Sequence, residues 1–138
     1  MLNKFLGDGI LAVWGVPDRQ ADHAERAIRA AIDMRKKLVE INEHRVRDGY
    51  PEIRVGIGIH TGVVAAGMLG GADQREYAVI GDAVNVASRV EGLTKTLGTD
   101  LLISETAFRY VKDTFSGKRV SEEKVKGREE PVVIYSLD

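Results

Sequence analysis

The chain has 138 residues, of which 43% are apolar, with no cysteine and a net charge of −1. This length fits one ordinary domain with a real core, and the near-neutral charge excludes an overall field that would attract nucleic acid or an acidic membrane. The lack of cysteine excludes disulfides and thiolate metal sites. We see neither a signal-peptide pattern at the N-terminus nor an apolar run near the ~18 residues that cross a bilayer. We therefore expect a cytoplasmic single domain, whose parent protein could still be membrane-attached.

Two apolar runs flank Gly7-Asp8-Gly9 near the start of the chain. Glycine beside aspartate is typical of a hairpin turn, because glycine reaches positive φ without steric cost. We predict a β-hairpin with Asp8 at its tip and Lys4 on the incoming strand. Taken alone, the pattern favours an ordinary surface hairpin with a turn aspartate and a solvated lysine.

A long helix is predicted from Asp22 to about Arg47, because apolar residues recur there at spacings of three and four. Asp22 and Glu25 have the spacing of a capping box. His23 and His44 lie on this helix, and we interpret both as surface residues without partners.

Alternating apolar residues predict a strand over residues 53–60, followed by a second apolar run over residues 63–69. Gly56 and Gly58 share one face of that strand, and two interpretations stay open: close packing of a helix, or room for a ligand or a partner chain. His60 follows on the same face, and its neighbours supply no second metal ligand.

A short strand is predicted to reach Gly81, and Asp82 to cap a helix that ends near Leu97. Asn85 and Arg89 are four residues apart, so they project from one face of this helix. An amide and a guanidinium placed together can hold an anion, although the spacing alone favours an ordinary exposed face.

The rest of the chain predicts a buried strand over residues 101–103, a short helix from Ser104 to near Val111 and two final strands. The strands are marked by Val120 with Val125 and by residues 132–135, and Lys126-Gly127-Arg128 forms the turn between them. Such a basic turn is usually solvated, but it can also reach a phosphate. The order ββαββ, then β, α, β, α, ββ indicates an α+β sandwich rather than a doubly wound sheet.

Three stretches, residues 4–9, 77–89 and 126–128, together resemble the class III nucleotidyl cyclase catalytic domain of adenylyl and guanylyl cyclases. The match runs in register from residue 1 to residue 138, and Asp-Ala-Val-Asn-Val-Ala-Ser-Arg is among the family's most specific runs. The resemblance implies a ferredoxin-like α/β sandwich. It also implies conversion of a nucleoside triphosphate to a 3′,5′-cyclic monophosphate and pyrophosphate in intracellular signalling.

The resemblance implies a role for each matched side chain. Asp8 corresponds to the second of two aspartates that hold two Mg²⁺ or Mn²⁺ ions. Asn85 corresponds to the asparagine that orients the ribose, and Arg89 to the arginine that meets charge on the transferring phosphate. Lys126 corresponds to the lysine on the terminal phosphates.

The residues for base recognition depart from the family pattern at one position. Lys4 matches the base-reading lysine typical of adenylyl enzymes, but Ala78 stands where these usually carry Asp, Thr or Ser. A methyl group cannot accept a hydrogen bond from the adenine amino group. Base selectivity would then rest on Lys4 and the backbone around Val79, so ATP is favoured only moderately over GTP.

Family sites are shared across a head-to-tail dimer, so the resemblance implies a homodimer with two symmetric sites and no nucleic-acid or direct membrane partner. Asp8 would serve one site, and Lys4, Asn85 and Arg89 the other. The family's first metal aspartate should lie upstream of Lys4. We therefore expect an N-terminally truncated domain that is inactive as it stands, with unpaired edges on the hairpin and on the strand at residues 53–60.

Two rival functions remain. One is a non-catalytic cyclase-homology module that dimerises and regulates a partner, which the missing aspartate and Ala78 favour. Five matched side chains argue against such a module, because a decayed site would not need to keep them: Lys4, Asp8, Asn85, Arg89 and Lys126. The other is a nucleotide-binding domain without turnover.

Overall fold

The structure is a computed structural model that describes residues 1–73 and 75–137. Its elements follow the predicted order, and the α+β class is confirmed. They are β1 (Leu2–Leu6), β2 (Gly9–Val13), α1 (His23–Arg47), β3 (Ile57–Ile59), β4 (Ala65–Leu69), β5 (Glu76–Ile80), α2 (Asp82–Leu97), β6 (Leu101–Ser104), α3 (Glu105–Phe108), β7 (Gly117–Glu123) and β8 (Val132–Leu137). None of the helices in the described residues is long and apolar enough to cross a membrane.

The central sheet has four strands in the order β3-β6-β8-β7. Strand β3 runs parallel to β6, and the remaining pairs are antiparallel. β1 with β2 and β4 with β5 form two separate antiparallel hairpins. Within the described residues, β3 has a ladder partner on one side only.

Strand β6 is buried on both faces because a helix covers each side of the sheet. Leu101 and Ile103 pack in one core with α1, around Ile28. Leu102 points the other way and packs with Val86 of α2. This alternation follows from the two-residue period of a strand, and it places α2 on the opposite side of the sheet from α1.

The predicted strand over residues 53–60 is mostly wrong, since only Ile57–Ile59 pair with a neighbour. The partner strand β6 begins at Leu101, opposite Ile57, so residues before Ile57 have no ladder to join. Ile53 is held instead by Asn42, whose side chain makes hydrogen bonds of 2.8 and 2.9 Å with the Ile53 backbone. Alternation in the sequence indicated a strand where no partner is available.

The two open interpretations of Gly56 and Gly58 are resolved in favour of close helix packing. A Cβ added to Gly58 would collide with the backbone of Glu91 in α2, and one added to Gly56 would collide with the side chain of Thr94. The glycines therefore let β3 lie directly against α2. No ligand space is left at either position.

The first hairpin is confirmed in detail. Leu6 pairs with Gly9, so Gly7 and Asp8 form a two-residue turn, and Gly7 has a φ of +63°. That left-handed conformation suits glycine because other residues would bring Cβ too close to the backbone. The turn leaves Asp8 exposed at the tip.

Several predicted boundaries and caps need correction. The capping box is wrong: the Asp22 carboxylate accepts from Arg26 Nε at 2.9 Å and caps no backbone group, and this hydrogen bond lowers the pKa of Asp22. The short helix begins after Ser104 as predicted but ends at Phe108. Val125 lies outside β7, in the connection to β8.

Candidate active site

The side chain of Lys4 projects from β1 and forms an ion pair with Glu76 of β5. This contact places the first hairpin beside the β4–β5 hairpin. Both side chains are about half exposed, so the pair is open to solvent and to ligands. No sequence pattern indicated that Glu76 pairs with Lys4, because the two residues belong to hairpins that are far apart in the chain.

Ala78 and Val79 occupy the middle of β5. Ala78 pairs with Gly67 and Val79 with Ala66, and both β5 residues are half-buried. The Ala78 side chain is a methyl group and can accept no hydrogen bond. The structure therefore places the predicted base-binding residues next to the Lys4–Glu76 pair, on the same strand as Glu76.

Helix α2 presents Asn85 and Arg89 on its exposed side. On its other side Val86 is fully buried, whereas Val84 and Ala87 are only partly so. Val86 and Val90 pack toward the sheet, which turns Asn85 and Arg89, the residues just before them, outward. An amide and a guanidinium thus stand together at the surface, one turn apart.

Asp82 does not cap α2 as predicted: the cap is Gly81, and Asp82 is the first helical residue. Its carboxylate accepts a hydrogen bond from Arg128 Nη1 at 2.8 Å. A negative charge in the first turn also suits the positive end of the helix dipole. The ion pair therefore joins the start of α2 to the turn that carries Lys126.

The turn at Lys126 is closed by a backbone hydrogen bond of 3.1 Å from Arg128 N to Val125 O. Gly127 has a φ of +88° within it. Lys126 is exposed, and its turn is held against α2 by Arg128. The fold thus brings the predicted phosphate-binding lysine to the helix that carries Asn85 and Arg89.

Two histidines have partners that the sequence did not indicate. His23, predicted to be a lone surface residue, is half-buried, and its Nε2 lies 2.8 Å from Thr61 Oγ1. His60 Nδ1 lies 2.7 Å from Oγ of the buried Ser104. His44 is exposed, as predicted.

Burial lowers the pKa of His60, the charge of Arg128 lowers it further, and the charge of Asp82 opposes both. An unfolded histidine takes up its proton near pH 6.5, before the folded one does. We therefore expect the free energy of unfolding to fall as the pH drops below about 6.5, until it passes the lower pKa of folded His60.

Urea unfolding midpoints between about pH 5 and 8 measure this effect. His60→Gln should flatten that part of the profile, while the control His44→Gln, at an exposed position on α1, should leave it as in the unaltered chain. An unchanged slope in His60→Gln would show that other groups cause the loss of stability.

Asp8 offers a carboxylate for a divalent cation at an exposed hairpin tip. Within residues 1–73 and 75–137, however, no group of three or more His, Asp or Glu side chains is placed to hold a metal ion. Asp8 could therefore supply one metal ligand, and the described residues do not form a complete set of ligands around it. No hydrogen bond or ion pair in the described part of the chain joins Asp8 to Asn85, Arg89 or Lys126.

The family description "Adenylate and Guanylate cyclase catalytic domain" matches residues 3–138. Among curated proteins, adenylate cyclase 1 of Rhizobium meliloti (strain 1021) is 37% identical over 97% of this chain. The adenylate cyclase of Anabaena cylindrica is 39% identical over 99% of it. The chain spans only 20% and 28% of the lengths of these two relatives.

Solved structures agree with this match. The guanylyl cyclase Cya2 superposes with a TM-score of 0.86 at 34% identity, covering 97% of this chain and 67% of its own. The adenylyl cyclase CyaB from P. aeruginosa gives a TM-score of 0.84 at 29% identity, covering 99% of this chain and 70% of its own. Both adenylyl and guanylyl enzymes are therefore similar to this chain.

Proposed function

Because this chain belongs to the adenylate and guanylate cyclase catalytic domain family, we propose that it is part of a cyclase domain that forms cyclic AMP and pyrophosphate from ATP in intracellular signalling. The observation that carries the proposal is the placement of Asn85 and Arg89 on the exposed side of α2, with the Lys126 turn tied to the start of that helix. Two groups suited to ribose and phosphate thus lie on α2, and a third is on the turn joined to its first residue. We also propose that residues 1–138 belong to one catalytic domain.

The chain's own side chains would act mainly by positioning and by electrostatics. In the reaction, the ribose 3′-oxygen bonds to the α-phosphorus, the hydroxyl proton is lost, and the bond to the leaving pyrophosphate breaks. Arg89 would donate hydrogen bonds to the charge that develops on the α-phosphate oxygens. Asn85 would orient the ribose, and Lys126 would pair with the terminal phosphates.

We propose that Asp8 holds Mg²⁺ or Mn²⁺ together with ligands from outside the described residues. When bound, such ions neutralise the triphosphate. We further propose a head-to-tail homodimer, in which Asp8 of one copy faces Asn85 and Arg89 of the other. The chain alone would then bind metal–nucleotide but form no cyclic AMP.

The rival function is a cyclase-homology module that dimerises without catalysis. Ala78 and the incomplete set of metal ligands in the described residues favour it. The exposed, matched pair of Asn85 and Arg89 favours an enzyme, because neither side chain contributes to the core.

We expect the 138-residue chain to bind a non-cyclisable ATP analogue only with Mn²⁺ present, and to form no cyclic AMP from ATP. The cyclase chimera is this chain with one addition before Met1, namely the segment of the Anabaena cylindrica enzyme that precedes the matched region. We expect the cyclase chimera to form cyclic AMP from ATP. Asp8→Ala should abolish its turnover, because the metal would lose a carboxylate ligand.

Asp18→Ala, which removes another exposed carboxylate after the same hairpin, is the matched control and should keep turnover. Cyclic nucleotide is measured by chromatography with ATP and with GTP. Full activity of the Asp8→Ala chimera would contradict the metal role, and a chimera that binds nucleotide without turnover would favour the non-catalytic module.

A further inference from the structure

The face of the β4–β5 hairpin that carries Ala78 is open at its centre. Residues paired directly across an antiparallel ladder point to the same side, so Ala78 and Gly67 share this face. A Cβ added to Gly67 would meet nothing within 4 Å. We call the area over Ala78 and Gly67 the shelf.

Larger side chains border the shelf on the same face. Leu69 lies opposite Glu76 at one end, and Ile80 lies opposite Ala65 at the other. Leu69 and Ile80 are 52% and 57% exposed, so the border is apolar and uncovered in the described chain. A small apolar floor between exposed side chains can accommodate one flat aromatic ring.

One end of the shelf is charged. Glu76 lies two residues before Ala78 on β5 and therefore shares its face. Its carboxylate pairs with the Lys4 ammonium, which approaches from the other hairpin. An exposed pair of this kind contributes little to stability, so the fold does not depend on it.

The pair still has hydrogen-bonding capacity. The ammonium has three donors, and a carboxylate has about four acceptor sites, so one mutual contact leaves most of them free. A donor and an acceptor thus stand side by side at the edge of a flat apolar floor. This arrangement matches the edge of adenine, where the N1 acceptor adjoins the 6-amino donor.

Building on the proposed function, we propose that Glu76 accepts the hydrogen bond from the 6-amino group of adenine, the role that the Ala78 methyl cannot fill. Lys4 donates to N1 of the same ring, which lies on the shelf. In guanine the donor and acceptor at these positions are exchanged. The same two side chains could then pair with it only if the base were displaced.

The test compares two nucleotides that differ only in the 6-amino group, ATP and purine riboside triphosphate. Each is titrated into the 138-residue chain with Mn²⁺. Glu76→Ala should weaken ATP binding about five- to tenfold, since a hydrogen bond to a charged group is lost, and should leave the purine riboside nucleotide within about twofold. Glu76→Gln, which keeps an acceptor, should recover part of the ATP affinity.

Glu122→Ala is the matched control, because Glu122 is also an exposed glutamate paired with a cation, Arg119, and lies on β7. Glu122→Ala should change the affinity for neither ATP nor purine riboside triphosphate. Equal weakening of both nucleotides in Glu76→Ala, or no weakening of ATP, would overturn the inference. If the unaltered chain bound no nucleotide with Mn²⁺, the proposed function would fail together with the inference.

Discussion

Arg89→Ala in the cyclase chimera should lower kcat by about 10²- to 10³-fold and change KM much less. The guanidinium would meet charge that develops only as the 3′-oxygen attacks, so its loss raises the barrier more than it weakens ground-state binding. Arg89 is exposed on α2 and outside both core clusters, so the fold should tolerate the change. Initial rates over a range of ATP concentrations measure both constants.

Two further variants test whether the effect depends on the guanidinium of Arg89 and on its position. Arg89→Lys keeps the charge but loses the planar fork of donors, and it should fall between the unaltered chimera and Arg89→Ala. Lys95→Ala removes another exposed cation from the same helix and should stay within about twofold of the unaltered kcat. A similar loss in Lys95→Ala would mean that net positive charge on α2, rather than the position of Arg89, supports turnover.

Gly58→Ala should destabilise the domain by about 2–3 kcal/mol, the second large effect that we expect. The added methyl would collide with the Glu91 backbone and would lie 2.9 Å from the Ala87 carbonyl oxygen. Neither contact can be relieved by rotating a side chain, so β3 and α2 would have to move apart. Urea unfolding of the 138-residue chain measures the change.

Gly92→Ala is the matched control for that substitution. Gly92 lies within α2, and a Cβ added there meets nothing within 4 Å. Alanine should therefore stabilise the helix by about 0.5–1 kcal/mol, because it loses less backbone entropy on folding. If both glycine variants changed stability alike, close approach of β3 and α2 would not explain the requirement at Gly58.

Much of the fold was predictable because its signals are local. The periodicity of α1, the turn at Gly7 and Asp8 and the buried strand at residues 101–103 each depend on neighbouring residues. The strand over residues 53–60 was overextended, since alternation reports a possible strand and cannot show where the partner strand begins. Asp22 and Asp82 were assigned as caps, yet their carboxylates bind arginines instead.

The candidate site was likewise predictable only in part. The exposed pair of Asn85 and Arg89 follows from helical spacing, and the roles of Asp8, Lys4 and Lys126 remain predictions from the family resemblance. The partners that position them were not predictable. Arg128 and Asp82 are 46 residues apart in the chain.

By itself, the sequence determined the order of the elements, the shared exposed side of Asn85 and Arg89, and the turn that exposes Asp8, because these depend on side chains within a few residues. Only the tertiary structure decided that Gly58 serves helix packing, that His60 meets Ser104 across 44 residues, and that Lys4 meets Glu76. Such contacts depend on how sheets and hairpins are placed relative to one another. Strand order and helix docking set that placement, and no local pattern encodes it.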